Sequence, residues 1–275
     1  MRWMGLSPGS SRTGLTVRTV LANPSTRPGL ALPGRVLVTA GRADVPVLHV
    51  RLGLVTSAEP DDPEAPRQLV QFHQAEISGG FVLRAGRVRS IPFRFPVPWE
   101  TPVTVVGGMP LLSLRMGLRT EVAIEPRSDQ GAMLPLFVHP LTTQAYVLAA
   151  LDSLGFSLRQ AGSVAARLPG VAQTLSLHQR LGYWVAPLYA GPITELEVIF
   201  IADSAGLEVL LWCDGGWRWR GSRTRASAGS RSGMPPPSDR TGWRSWTGGC
   251  EWRSTGTRRR WRTPTGRPRS TSPST

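Results

Sequence analysis

From Leu111 to Glu125 the chain alternates with a period of two residues. Leu112, Leu114, Met116, Leu118, Val122 and Ile124 are apolar, and Ser113, Arg115, Gly117, Arg119 and Glu121 stand between them. Successive side chains of an extended chain point to opposite faces, so this pattern gives one dry face and one wet face. A strand of that length spans a whole sheet. Leu48, Val50, Leu52 and Leu54 alternate in the same way with His49, Arg51 and Gly53. Ile91, Phe93, Phe95 and Val97 form a third set, interrupted by Pro92, Pro96 and Pro98. Proline brings no ladder donor, so this strand is expected at a sheet edge or at an exit from the sheet.

Turn signals punctuate the strands at Asn23-Pro24, Pro28-Gly29, Pro33-Gly34 and Gly79-Gly80. "EPDDPEAP" (Glu59 to Pro66) reads as an exposed acidic hairpin loop. Short strands at this spacing predict an all-β chain built as a β-sandwich. One helix interrupts the pattern. Val147, Leu148, Leu151 and Leu154 form one apolar stripe, with Thr142 or Thr143 as the cap and Gly155 as the stop. Short apolar stretches follow at Phe156 to Leu158 and Thr174 to Leu177. A hairpin is then expected from Glu195 to Ala202, a turn at Asp203 to Gly206, and Leu207 to Leu211. The expected organisation is a flexible N-terminus (1–15), a first β-sandwich (16–135), a second, smaller β unit (136–212) that stops as though strands were missing, and a disordered tail (213–275). His139-Pro140 is read as a hinge or linker, and Trp99 as a packing anchor at a sandwich corner.

The tail differs from the rest in composition. The whole chain carries a formal charge of +14. From Cys213 to Thr275 there are 14 Arg and 3 acids, which leaves 18 Arg and 15 acids for Met1 to Trp212. The charge therefore belongs to the tail, which also lacks Val, Ile, Leu, Phe and Tyr. Without aliphatic side chains, burial cannot offset the entropy of ordering the chain. All basic residues are Arg and none is Lys, which implies a GC-rich genome. Both cysteines, Cys213 and Cys250, fall at or after the break, so neither a disulfide framework nor a thiolate metal site is expected in the body. The N-terminal "MRWMGLSPGSSRTG" has no apolar core and reads as non-secretory. No run approaches the ~18 apolar residues of a membrane span, and a cytoplasmic protein is expected.

The signatures of common chemistries are missing from the sequence. His49, His73, His139 and His178 are far apart and form no paired-ligand pattern, so they read as strand or loop residues. The acidic loop does not have the spacing of a calcium-binding loop. There is no phosphate-binding glycine motif and no nucleophile elbow. Arg115, Arg119 and Glu121 read as a solvated strand face. No catalytic, cofactor-binding or metal-ligating residue is assigned, and no cofactor is expected.

Several strings taken together resemble the SpoOM sporulation-control family. They are "TVLANPSTRPGLALPGRVLV" (Thr19 to Val38), "FRFPVPWETPVT" (Phe93 to Thr104), "MGLRTEVAIEP" (Met116 to Pro126), "FVHPL" (Phe137 to Leu141), "LGF" (Leu154 to Phe156), "VAQTL" (Val171 to Leu175) and "ELEVIFIAD" (Glu195 to Asp203). The resemblance covers roughly Thr16 to Leu211. It implies an arrestin-like fold of two tandem β-sandwiches and a non-enzymatic role in sporulation or development through protein partners. GC-rich coding would suit an actinobacterium. The resemblance lapses near Leu211, where the tail begins. Read two bases later with GC-rich codons, the tail regains aliphatic residues, including an Asp-Gly-Trp-Val-Arg string. An out-of-frame segment is therefore favoured over an ordinary disordered tail. It is also favoured over a nucleic-acid-binding tail, for which charge alone is a weak signal. If the tail is genuine, nucleic-acid binding through it is expected to be nonspecific and salt-sensitive.

Overall fold

The computed structural model describes residues 14–60, 66–124, 127–130, 133–190, 194–213 and 216–220, with Arg127–Gln130 and Gly216–Arg220 described by their backbone. Most of the expected flexible N-terminus, residues 61–65 of the acidic loop Glu59 to Pro66, and the tail beyond Arg220 lie outside the described residues. Leu15 does not behave as a flexible terminus, because it is buried in the first core.

The strands of the first part are β1 (Thr16–Leu21), β2 (Ser25–Thr26), β3 (Ala31–Thr39), β4 (Val45–Ala58), β5 (Gln68–Ser78), β6 (Phe81–Leu83) and β7 (Val88–Pro96). β8 (Val105–Val106), β9 (Met109–Pro110), β10 (Met116–Ile124), β11 (Arg127–Gln130), β12 (Leu134–Pro135) and β13 (Phe137–Val138) follow. Helix α1 (Thr142–Ser153) precedes β14 (Ser157–Val164), β15 (His178–Trp184), β16 (Glu195–Ala202), β17 (Leu207–Cys213) and β18 (Gly216–Arg220). The described chain is thus all-β with one α-helix, and a short 3-10 turn lies at Pro187–Tyr189.

Two sheets enclose the first core. One has the order β1-β3-β7, and the other β11-β10-β4-β5, with β12 added to β10 and β6 to β4. Val36, Val38, Phe93 and Phe95 from the first sheet meet Leu52, Leu54, Leu118 and Val122 from the second. Each fully buried side chain of this size contributes about 1.5–3 kcal/mol. Among the described residues β7 pairs only with β3, so the proline-containing strand is an edge, in line with its missing donors.

Three expectations for the first part of the chain differ from the structure. The long alternating strand begins at Met116, because a turn closed by the Leu114 amide on the Leu111 carbonyl (3.1 Å) breaks the extended chain before it. Leu112 is consequently 94% exposed. In β4, Ala123 of β10 lies opposite His49 and Ile124 opposite Val47, so Leu48 is an extra residue. That bulge shifts the phase: Val47 and Val50 are buried and Leu48 faces out. Pro33-Gly34 makes no turn and lies inside β3. Gly34 suits that strand because a Cβ there would sit 2.6 Å from both the Val20 carbonyl oxygen and the Phe93 ring.

The second part centres on a five-stranded sheet of order β14-β15-β16-β17-β18. β16 is apolar on both faces. Val198, Phe200 and Ala202 face Leu148 and Leu151 of α1, and Ile199 and Ile201 face Leu168 and Val171 of the loop between β14 and β15. The β16–β17 hairpin forms as expected, its turn held by the Asp203 side chain, which accepts from the amides of Ala205 and Gly206 (2.7 and 2.8 Å). The sheet continues past the composition break. Cys213 is buried at the end of β17, and β18 adds to it through main-chain pairing, which needs no aliphatic side chain. Thr174 to Leu177 is loop rather than strand, while β15, whose first half is polar, carried no alternation to reveal it.

Helix α1 is capped by Leu141, not by a threonine. The Leu141 amide donates to Gln144 Oε1 at 2.8 Å. Its other end stops where expected. Gly155 has φ +86°, its amide donates to the Asp152 carbonyl (2.8 Å), and that of Phe156 to the Leu151 carbonyl (3.0 Å).

Candidate functional site

The densest polar cluster among the described residues joins the segment after β7 to the loop between β14 and β15. The segment is "VPWETPVT" (Val97 to Thr104). Its entry is fixed by Trp99, whose ring lies against Gly29, where a Cβ would be 2.6 Å from the indole. Gly29 has φ +78°, so both conformation and space favour glycine there. Trp99 also packs against the second core, in keeping with an anchoring role.

Glu100 is only 8% exposed. One carboxylate oxygen accepts from the Thr174 amide (2.7 Å) and the Thr174 hydroxyl (3.0 Å), and the other from the Leu175 amide (2.9 Å). Three residues on, the Val103 amide donates to Gln179 Oε1 (2.9 Å), and Gln179 Nε2 donates to the Val103 carbonyl (2.7 Å). A primary amide thereby satisfies both main-chain groups of one residue, as a neighbouring strand would. Gln173 shapes the loop from inside: its Nε2 donates to the carbonyls of Leu175 and Leu177 (2.7 and 2.8 Å), and its Oε1 accepts from the Leu168 amide (3.1 Å). Arg167 holds the outer side, donating to Ser176 Oγ (3.2 Å) and to the carbonyls of Gln173 (3.4 Å) and Thr174 (3.1 Å).

Further links run beside this cluster. The Glu59 amide donates to the Ser163 carbonyl and the Ala165 amide to the Glu59 carbonyl, both at 2.8 Å. Ser113 Oγ donates to the Ala161 carbonyl (2.7 Å), which covers part of the β14 edge. Leu175 and Leu177 pack with Ala58, Val70 and Phe72. Leu114 is a member of the second core, with Val106 and Leu111 against it, although all three precede β10 in the chain.

The other residues singled out from the sequence are dispersed. His49 lies in β4, His73 in β5, His178 at the start of β15 and His139 in the connection before α1. Among the described residues no group of three or more His, Cys, Asp or Glu could hold a metal ion. His73 packs edge-on to Phe95 at 5.4 Å, and burial holds its imidazole below the ordinary histidine pKa. Arg119 and Glu121 are half-buried on the outer side of β10, close in register to the Arg51–Glu76 pair (3.5 Å), and Arg115 is exposed just before that strand. At the acidic loop, Glu59 pairs with Arg67 (2.8 Å to Nε). Asp44 is held below the usual carboxylate range by the Ala85 amide and then by Arg84. Met109 and Leu112 are the most exposed apolar side chains of the 105–114 region, at 71% and 94%. Sequence reasoning passed over Glu100, Arg167, Gln173 and Gln179. The one available signal was a carboxylate placed between Pro98 and Pro102.

Fold and site together define a β-sheet protein whose buried polar groups hold main chain to main chain. The sequence model of the SpoOM protein family matches residues 12–216. The sporulation-control protein spo0M of Bacillus subtilis (strain 168) is 30% identical over 204 residues, covering 72% of this chain and 74% of that protein. The crystal structure of Spo0M from Bacillus subtilis superposes with a TM-score of 0.65 at 26% identity, covering 75% of this chain and 83% of that one. The chain belongs to the SpoOM protein family. No helix among the described residues is long and apolar enough to cross a membrane.

Proposed function

We propose that this protein is a non-enzymatic cytoplasmic regulator of sporulation or development that acts through protein–protein contacts. The observation that carries this reading is the family match across residues 12–216, together with a relative named for sporulation control. The site geometry supports it. Glu100, Gln173 and Gln179 are each committed to two or three main-chain groups, the arrangement of a framework rather than of a group poised to react. On this reading 16–135 and 136–212 are the two tandem units of an arrestin-like scaffold, and partners dock on sheet edges or on exposed loops such as the one bearing Met109 and Leu112.

Deleting the gene in its host and counting heat-resistant spores tests the role. Reduced or mistimed sporulation, restored by the intact gene, is expected, and unchanged yield and timing would overturn it. Crosslinked pull-down from sporulating cells tests the mechanism separately, since recovery of no partner above control would refute contact-based action. The Arg- and Trp-rich segment from Cys213 to Thr275 is read as out of frame rather than as a nucleic-acid-binding element. Sequencing the codons for Glu208 to Thr275 decides it: a base gained or lost near Leu211 is expected, and a confirmed frame would overturn it.

A further inference from the structure

Glu100 and Arg167 stand on opposite sides of the same two peptide groups. The peptide joining Gln173 to Thr174 gives its N–H to Glu100 at 2.7 Å, and its carbonyl accepts from Arg167 at 3.4 Å. The next peptide, Thr174 to Leu175, repeats the arrangement at 2.9 and 3.1 Å. An amide is a conjugated unit. A carboxylate drawing on its N–H makes its carbonyl a better acceptor, and a guanidinium on its carbonyl makes its N–H a better donor. The two charges therefore reinforce each other through two amides in parallel, although no ion pair joins them among the described residues.

The two ends differ in environment. Glu100 is buried and Arg167 is exposed. The groups in between are hydrogen-bonding groups that water can satisfy once the contact opens, whereas the flanking cores are apolar and cannot be opened at so small a cost. We infer that Glu100 and Arg167 form one peptide-bridged latch that releases as a unit and fixes the segment after β7 to the loop between β14 and β15, while both cores persist without it. Arg167 is the surface end from which the latch can be loosened. The latch is independent of the developmental role proposed above.

Amide hydrogen exchange on the full chain, read for Thr174 and Leu175, tests it with Glu100→Gln, Arg167→Met and the double variant. Each single change is expected to speed exchange at both amides by about tenfold or more, and the double by no more than the larger single. The amides of Leu52 and Val198, one in each core, are expected to hold their rates. Multiplying effects in the double variant would show two independent contacts and overturn the latch. So would an Arg167→Met variant that leaves both amides unchanged, or equal acceleration at Leu52 and Val198. Should Glu100→Gln fail to fold, Glu100→Asp takes its place in the same cycle, since the shorter side chain draws the carboxylate away from both amides while keeping its charge.

Discussion

Replacing Gln179 by Ala tests whether the side-chain amide stands in for a strand at Val103. Gln179 is 7% exposed and Val103 is fully buried, so water does not readily replace the lost partner. Two hydrogen bonds are removed, at 2.9 and 2.7 Å. Their net worth alone is about 1 kcal/mol each, but an orphaned buried N–H or carbonyl costs about 1–3 kcal/mol. With two such groups and some relaxation, the variant is expected to lose roughly 3 kcal/mol, or about 6–12 °C in Tm for a chain of this size. Urea unfolding followed by circular dichroism gives the cleaner number. The midpoint should fall by about 1–2 M with the slope unchanged, because the surface exposed on unfolding is the same. A loss below about 0.5 kcal/mol, the size of an ordinary surface change, would refute the reasoning and mean that Val103 finds other partners.

The alternation in β10 makes a paired prediction: Leu118→Ala should cost about 2–5 kcal/mol, and Leu112→Ala, in the same sequence pattern but 94% exposed, less than about 0.5 kcal/mol in the same assay. Burial lowers the His73 pKa, so the native state binds fewer protons than the unfolded chain, whose value is near 6.5. Stability from this group is therefore complete above that value and is lost as pH falls from it toward the folded pKa, and His73→Phe should flatten the fall in urea midpoint between about pH 7 and pH 5. Gly155→Ala places a Cβ on a left-handed residue at φ +86° and should cost about 1–2 kcal/mol by thermal unfolding, with no clash to relieve, since Ala186 Cβ lies 3.4 Å away.

Particular elements show where sequence and tertiary structure part. The β16–β17 hairpin, the edge position of β7 and the glycine stop of α1 were legible because each rests on local chemistry: an Asp-led turn, prolines without donors, and a residue free to take positive φ. Leu48 was misplaced because one bulge, set by pairing with β10, reverses the phase of everything before it. Leu112 was misplaced because a turn hydrogen bond cuts an alternating run that composition alone carries straight through. β15 went unseen since its buried residues include His178 and Gln179, on opposite faces of the strand, whose partners lie elsewhere in the chain.

By itself, the sequence determined an all-β chain, the inward faces of β7, of β10 and of β4 from Val50 on, the boundary of the Arg-rich segment and the family. The first three follow from period-two alternation, local turn chemistry and composition, and the family from the resemblance of several strings taken together. Only the tertiary structure decided that Glu100 meets Thr174 and Leu175, that Gln179 closes Val103, and that Leu114 belongs to the second core. Partners separated by 74 to 76 residues leave no periodic trace. A buried carboxylate or amide acquires its role from the main-chain groups that folding brings to it, and a linear pattern does not record where those groups will be.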